Sequence, residues 1–118
     1  MPRFVVVEHD SPRGLHWDLM LQQGDVLLTW ALPEPPQAAR TIPAEALPDH
    51  RLAYLDYEGP VSGGRGSVTR WDHGTYQREH RSDDELTVVF AGRRLAGRAT
   101  LRRLGAEGGR WQFHLAAD

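Results

Sequence analysis

The stretch Leu15-His16-Trp17-Asp18-Leu19-Met20-Leu21 places a large apolar residue at every second position. Successive side chains of a β-strand point to opposite faces, so this alternation predicts a strand whose apolar face lines a core. The opposite face then carries His16, Asp18 and Met20. An imidazole and a carboxylate that share one face in this way lie within reach of a single metal ion.

A second histidine lies shortly before this stretch. His9 follows the strand-like run Phe4-Val5-Val6-Val7. Two histidines and one carboxylate are a common set of ligands for a divalent cation. The pattern therefore predicts a metal site formed by His9, His16 and Asp18. This donor set accepts Mn²⁺, Zn²⁺, Co²⁺ and Ni²⁺, so the residues alone leave the identity of the metal open.

Length and composition set wider bounds. The chain has 118 residues, enough for one domain with its own core, and we predict a single domain over residues 1–118. The absence of cysteine excludes disulfides and thiolate metal sites and favours a reducing compartment. Because no apolar run reaches the length of a membrane span and no signal peptide is evident, we expect a soluble cytoplasmic protein without membrane contact.

The charge of the chain argues against a protein that coats nucleic acid by bulk electrostatics. The net charge is −2 and the sequence pI is about 6.3. All 14 basic residues are arginines, whose planar guanidinium fits phosphate oxygens, but a genome rich in GC codons would produce the same preference. A local phosphate-binding face is therefore compatible with the sequence, whereas a general nucleic-acid coat is not.

Strand patterns dominate the rest of the chain. The predicted strands cover residues 3–8, 15–21, 26–31, 52–57, 66–72, 74–77, 85–90, 94–103 and 110–115. Prolines at 33, 35, 36, 43 and 48 predict an irregular excursion with one helical turn at residues 44–47. The polar residues 77–85 are predicted to form a solvated loop. Short strands with glycine turns indicate a mostly β fold, a compact antiparallel β-barrel with one or two short helical turns.

His50 and Tyr54 form a second constellation. They are four residues apart, a spacing that places them on one face of either a strand or a helix. An imidazole and a phenol on one face can bind an anionic oxygen or supply a proton. The structural alternative is a histidine that caps backbone groups and a tyrosine that packs by its ring, and these residues alone favour it.

Six segments resemble, in order, the 3′-phosphoesterase domain of bacterial and archaeal DNA ligase D. They are residues 9–21, Trp30-Ala31-Leu32-Pro33, residues 49–54, Tyr57-Glu58-Gly59, Trp71-Asp72-His73-Gly74-Thr75-Tyr76 and Leu95-Ala96-Gly97. The resemblance covers nearly the whole chain. The chain is expected to be a standalone version of that domain, without a polymerase or ligase module.

The resemblance implies a β-barrel with a Mn²⁺-dependent site, Zn²⁺ or Co²⁺ being alternatives, that acts on 3′ ends of DNA. In that family a 3′-terminal ribonucleoside is removed first and the remaining 3′-phosphate second, which leaves a 3′-hydroxyl. Mapped by motif, His9, His16 and Asp18 match the metal ligands. His50 and Tyr54 match the residues that contact the scissile phosphate, and are the predicted catalytic pair.

Three departures from the family pattern fall near the predicted site. Met20 stands where the family usually has an arginine that faces the phosphate, and Glu34 stands where ligase-fused members have a lysine. His9 and His16 are seven residues apart, one more than the common spacing. Other arginines are therefore the candidates for phosphate binding: Arg13, Arg40 and Arg65.

Two hypotheses of different classes follow. The first is a metal-dependent phosphoesterase that processes 3′ ends in DNA repair by non-homologous end joining, with an activity that Met20 and Glu34 reduce. The second is a catalytically weak or inactive metal-containing module that recognises phosphate termini or a repair partner. The expected partners are DNA or DNA/RNA 3′ ends and a ligase or polymerase acting in trans. A monomeric protein of the prokaryotic cytoplasm is expected.

Overall fold

Nine strands and one 3-10 helix make up the described part of the chain. A computed structural model describes residues 1–105 and 109–117. The strands, in chain order, are β1 (Arg3–Ser11), β2 (Gly14–Gln23), β3 (Val26–Leu32), β4 (Arg40–Arg51), β5 (Gly59–Pro60), β6 (Ser67–Arg81), β7 (Glu85–Gly92), β8 (Ala96–Arg103) and β9 (Arg110–Leu115). The 3-10 helix, Leu52–Leu55, directly follows β4.

All nine strands belong to one antiparallel sheet with the order β1-β2-β3-β4-β9-β8-β7-β6-β5. β1 also pairs with β6, and this pairing closes eight of the strands into a ring. β5 lies beside β6 outside the ring. The prediction of a compact antiparallel β-barrel with a short helical turn is therefore confirmed.

The inside of the ring is filled by apolar side chains from every strand of the barrel. Leu19 and Leu21 of the opening stretch belong to this interior, and Trp17 packs against it. Leu15, at the end of the same face, is 49% exposed. The predicted apolar face is therefore correct for Trp17, Leu19 and Leu21 but not for Leu15, because β2 extends past the filled interior at residue 15.

A second apolar cluster lies on the outer surface of β1, β2 and β3. It consists of Val5, Val7, Met20, Leu27, Leu55 and Val68, with partly buried Leu52, Tyr54 and Val61 packed against it. The 3-10 helix supplies Leu55 to this cluster and so covers the outer side of the barrel wall. The metal-ligand candidates therefore lie on a partly covered outer face rather than on an open sheet surface.

The predicted irregular excursion is correct for residues 33–39, which lie outside the strands, but the predicted helical turn at residues 44–47 is wrong, because β4 runs through that segment. Pro43 is tolerated because this part of β4 pairs with β9 but begins to pair with β3 only at Glu45. Pro48 lies in a β-bulge, between Leu47, which pairs with Thr29, and His50. The bulge removes the need for a ladder hydrogen bond from the proline nitrogen.

Other predicted boundaries also differ from the structure. The predicted strand at residues 52–57 is replaced by the 3-10 helix. β6 joins the two predicted strands at 66–72 and 74–77 and continues to Arg81, through most of the predicted loop. Gly74 permits this continuity because a Cβ there would lie 2.2 Å from the Ala91 carbonyl oxygen, so only glycine allows β6 and β7 to approach so closely.

Asp72 explains one of the segments that resemble the family. Its buried carboxylate accepts hydrogen bonds from the backbone N–H groups of Arg93 (3.2 Å), Arg94 (3.0 Å) and Leu95 (2.8 Å). These bonds satisfy the donors of the turn between β7 and β8, which would otherwise lie unpaired beside the core. The role of Asp72 in this structure is to hold that turn.

Candidate metal centre

The hairpin of β1 and β2 brings the three predicted metal ligands together on its outer face. His9 lies directly opposite His16 in the register, and Asp18 lies opposite Val7, the next outward residue of β1. Asp18 Oδ2 is 3.2 Å from His9 Nδ1, and Asp18 Oδ1 is 3.1 Å from His16 Nε2. Ligand atoms from the three residues all lie within 4.8 Å of one another. One cation can therefore contact all three.

The orientation of the His9 ring is fixed from outside the hairpin. Its Nε2 is 2.8 Å from the backbone carbonyl oxygen of Arg65. Since a carbonyl can only accept, Nε2 carries the ring proton and donates it, which leaves Nδ1 with a free lone pair that points at Asp18. A backbone carbonyl that holds the second nitrogen is the usual support for a metal-binding imidazole.

Asp18 is the buried member of the set. It is 3% exposed, and its Oδ1 forms no hydrogen bond with any residue that the structure describes. Burial raises the pKa of the Asp18 carboxyl, and interactions with the neighbouring imidazoles of His16, His9 and His50 oppose this rise. A buried carboxylate oxygen without a hydrogen bond, beside two imidazoles, fits a divalent cation bound by nitrogen and oxygen donors.

His50 and Tyr54 lie in the same groove as His9 and Asp18, a groove of 490 Å³. β4 supplies His50, which lies opposite Leu27 of β3, and the 3-10 helix supplies Tyr54. The two rings meet edge to face with centroids 5.5 Å apart. His50 Nδ1 donates to the Pro48 carbonyl at 2.9 Å, so Nε2 is the ring atom left for chemistry.

Met20 lies on the predicted face and also lines this groove. Its side chain is 1% exposed and packs in the outer cluster with Val5 and Leu27. It therefore contributes an apolar wall where the family has a cation. Arg51 and Arg65 are the arginines among the residues that line the groove.

The structure places the three candidate phosphate-binding arginines differently. Arg65 and Arg13 line a second, larger groove that begins at His9 and His16. Arg40 lines neither groove, because its guanidinium pairs with the Glu34 carboxylate, with Nη2 3.1 Å from Oε2. The prediction that Arg40 shares a site with the metal ligands thus finds no support in the geometry.

Sequence reasoning missed Arg51 and Asp49, which flank His50 and line its groove. In a regular strand the neighbours of His50 would point to the opposite face. The bulge at Pro48 and the onset of the 3-10 helix at Leu52 break that alternation. The available signal was the proline, which marks the place where the strand period fails.

The loop that carries Arg65 depends on a glycine. Gly66 has φ +88°, and a Cβ there would lie 1.9 Å from the Asp10 carbonyl oxygen of β1. Replacement by alanine would push the loop off β1 and withdraw the Arg65 carbonyl from His9. We expect Gly66→Ala to destabilise the fold by about 1–3 kcal/mol and to weaken divalent metal binding by about tenfold or more.

Gly64→Ala is the matched control for this prediction. Gly64 lies in the same loop with φ +69°, but a Cβ there meets no atom within 4 Å. Chemical denaturation gives the stability of both variants, and calorimetric titration with Mn²⁺ gives their metal affinity. Equal metal affinity in the two variants would contradict a supporting role for the Arg65 carbonyl.

The fold and the site together define a class of protein. It is a small antiparallel β-barrel that carries on its outer wall a His-His-Asp cluster able to hold a metal ion, next to a histidine and a tyrosine. In the described residues, no helix is long and apolar enough to cross a membrane.

Comparison with known proteins assigns the family. Residues 7–103 match the family described as "DNA Ligase D 3'-phosphoesterase domain". The chain belongs to this family, so the resemblance seen in the sequence is confirmed. The match extends from the second half of β1 to the end of β8 and includes all three metal-ligand candidates.

Three relatives are similar over almost the whole chain. The "Multifunctional non-homologous end joining DNA repair protein LigD" of Mycobacterium tuberculosis (strain ATCC 25618 / H37Rv) is 37% identical over 94% of this chain. "Multifunctional non-homologous end joining protein LigD" of Pseudomonas aeruginosa is 33% identical over 96%, and that of Mycolicibacterium smegmatis is 31% identical over 98%. The aligned part is 14% to 17% of the length of these relatives.

Proposed function

We propose that this protein is a metal-dependent phosphoesterase that processes the 3′ ends of nucleic acid during DNA repair. The observation that carries the proposal is the convergence of His9, His16 and Asp18 within 4.8 Å, with His9 and Asp18 lining a groove that they share with His50 and Tyr54. The family supports the choice of reaction, and the names of the relatives support a role in non-homologous end joining.

His9 Nδ1, His16 Nε2 and the Asp18 carboxylate are the atoms that would hold the metal, for which Mn²⁺ is our choice and Zn²⁺ or Co²⁺ the alternatives. A bound divalent cation supplies Lewis acidity toward a phosphate oxygen. Asp18 Oδ1 is buried and accepts no hydrogen bond from the described residues, although His16 Nε2 lies 3.1 Å away; a cation between them would compensate the burial of this oxygen.

The remaining chemistry falls to residues of the same groove. Hydrolysis of the diester adds water to phosphorus and breaks the bond to the O5′ atom of the terminal nucleoside, which leaves as an alcohol after it takes up a proton. His50 Nε2 is placed to deliver that proton, because the other ring nitrogen is held by Pro48. The Tyr54 hydroxyl donates a hydrogen bond to a phosphate oxygen, and Arg65, which also lines the groove, offers positive charge.

The direct test is a 3′-end assay on the purified protein. Labelled primer-templates that end in a 3′-phosphate or in a single 3′-ribonucleotide are incubated with Mn²⁺, Zn²⁺ or Co²⁺. We expect conversion to a 3′-hydroxyl by the wild-type protein and a loss of about 1,000-fold or more in His16→Ala, because metal-ion catalysis contributes several kcal/mol. His80→Ala, a change on the exposed part of β6, is the matched control.

One observation favours a second candidate function, a metal-containing module that recognises phosphate termini or a repair partner without turnover. Met20 fills the wall where the family has an arginine, so a cation that clamps the phosphate is missing from that position. Tight metal binding by wild-type protein, together with no conversion of either substrate, would overturn the enzymatic proposal and support this one.

A further inference from the structure

A second groove opens from the metal ligands on the side away from His50 and Tyr54. Its volume is 920 Å³, in the range of small-molecule binding sites. Its walls come from β3, β4, β9, the turn between β1 and β2, and the loop that carries Arg65. We call it the apolar groove, because most of its lining is carbon: Pro12, Ala31, Leu32, Pro33, Pro43, Ala44, Leu47, Leu104 and Trp111.

The charged groups of the apolar groove are unevenly placed. Arg13 and Arg65 belong to segments that adjoin the metal ligands: Arg13 lies in the turn before His16, and the Arg65 carbonyl holds His9. Glu45 lies farther along the barrel wall. Asp18 of β2 is opposite Ala31 of β3, and Ala31 is opposite Glu45 of β4, so the backbone positions of Asp18 and Glu45 are two strand spacings apart, about 10 Å in total.

This distribution suits a ligand that is anionic at the metal and neutral farther out. Ala31 lies between Asp18 and Glu45 on the three neighbouring strands. Because its side chain is only a methyl group, a ligand has room over this position. Glu45 pairs in register with Arg110, so the far part of the groove carries one charge of each sign among its described residues. A second phosphate gains little there, whereas sugar and base surfaces meet apolar side chains.

Two side chains of the far part expose apolar surface. Leu104 is 49% exposed, and its backbone N–H donates to the Arg110 carbonyl at 2.8 Å, which holds it beside β9. Trp111 is partly buried and packs edge to face on Trp30 with centroids 5.7 Å apart. An exposed leucine beside a tryptophan, at the edge of a reactive site, marks a surface for a flat apolar group.

We infer that the apolar groove binds the base and sugar of the 3′-terminal nucleoside, the group that leaves in diester hydrolysis. The inference rests on the proposed function. Nucleobases pack well on tryptophan and leucine, and such contacts tolerate any base. When water has replaced the O5′ atom on phosphorus, the nucleoside departs and the groove empties. Hydrolysis of the remaining 3′-phosphate releases only inorganic phosphate, so it proceeds without contacts in the apolar groove.

The test compares the two steps in Leu104→Ser. We expect kcat/KM for release of the terminal nucleoside to fall by about tenfold, while kcat/KM for hydrolysis of a 3′-phosphate changes less than twofold. Leu15→Ser is the matched control, since Leu15 is also 49% exposed and lies outside the apolar groove. Trp111→Leu is a second variant that removes the ring and keeps an apolar contact with Trp30.

A binding measurement separates this inference from the proposed function. Single-stranded oligonucleotides that end either in a 3′-phosphate or in one further nucleoside are titrated into metal-free protein, with tryptophan fluorescence as the readout. We expect the additional nucleoside to tighten binding in wild type and in Leu15→Ser but not in Leu104→Ser. Tighter binding in this titration, together with no turnover by the metal-loaded protein in the 3′-end assay, would reject the enzyme and keep the groove assignment. Equal binding of both oligonucleotides by wild type, or equal loss of both hydrolytic steps in Leu104→Ser, would overturn the groove assignment.

Discussion

Asp18→Asn is expected to abolish metal-dependent processing of 3′ ends, with a loss of about 1,000-fold or more. Asparagine keeps the shape of the side chain but removes the negative charge that balances a cation between His9 and His16. A metal that binds only the folded state raises its stability by about 2.7 kcal/mol at 100 times Kd. The variant should lose most of the rise in Tm that Mn²⁺ produces in wild-type protein.

The metal-free protein should show the opposite effect. Burial raises the pKa of the Asp18 carboxyl in the folded state, so the folded chain holds this proton more tightly than the unfolded chain. By linkage, the folded state loses stability as the pH rises through that raised pKa. Asparagine has no proton to lose, so metal-free Asp18→Asn should be at least as stable as wild type near neutral pH. Its Tm should also vary less with pH.

Thermal unfolding with and without Mn²⁺, across a range of pH, checks both statements. Asp25→Asn is the matched control, because Asp25 is exposed in the turn between β2 and β3, far along the hairpin from the site. If Asp18→Asn kept the Mn²⁺-induced rise in Tm, His9, His16 and Asp18 would not form the metal site.

Much of the metal centre could be predicted because a β-hairpin is a local structure. Alternation along β2 fixes which residues share a face, and the tight turn after Ser11 places His9 opposite His16. No long-range contact is needed to bring these ligands together. The same reasoning could place His50 and Tyr54 on a common face, but not beside Asp18, because that depends on how β4 and the 3-10 helix meet β3.

Most of the features that escaped prediction depend on contacts distant in sequence. Proline usually argues against a strand, yet Pro43 is accommodated because β4 at that point has not begun to pair with β3. The apolar groove combines residues from β3, β4 and β9, and no single segment shows it. Arg40 was a candidate for phosphate binding because of its positive charge, but its guanidinium pairs with the Glu34 carboxylate.

Met20 links the fold to the strength of the proposed activity. Because Met20 belongs to the buried outer cluster, opposite Val5 of β1, an arginine at this position would have to leave the cluster to reach a phosphate. Met20 therefore makes an apolar contact at the position where the family usually has an arginine. In the proposed reaction, recognition of the phosphate would therefore rest more heavily on the metal, on Arg65 and on His50.

His50→Gln is accordingly expected to have the second largest effect, a loss of about 100-fold or more in kcat for release of the terminal nucleoside. Glutamine can still form hydrogen bonds with the Pro48 carbonyl or with a phosphate oxygen, but it cannot deliver a proton. The rise in Tm with Mn²⁺ should persist, because His50 is not among the three ligands. Metal binding and catalysis are thereby separated.

The dependence of kcat on pH distinguishes proton transfer by His50 from mere binding of phosphate. If His50 Nε2 protonates the leaving oxygen, the variant loses the decline of kcat at alkaline pH that a general acid produces. It should also lose less activity on a substrate whose leaving group is a good one, such as a 3′-(4-nitrophenyl) phosphate, which departs without a proton. His80→Gln, an exposed histidine of β6, controls for the change of residue type. An unchanged pH profile together with an equal loss on both substrates would assign His50 to phosphate binding alone, and the proton would then have to come from Tyr54 or from solvent.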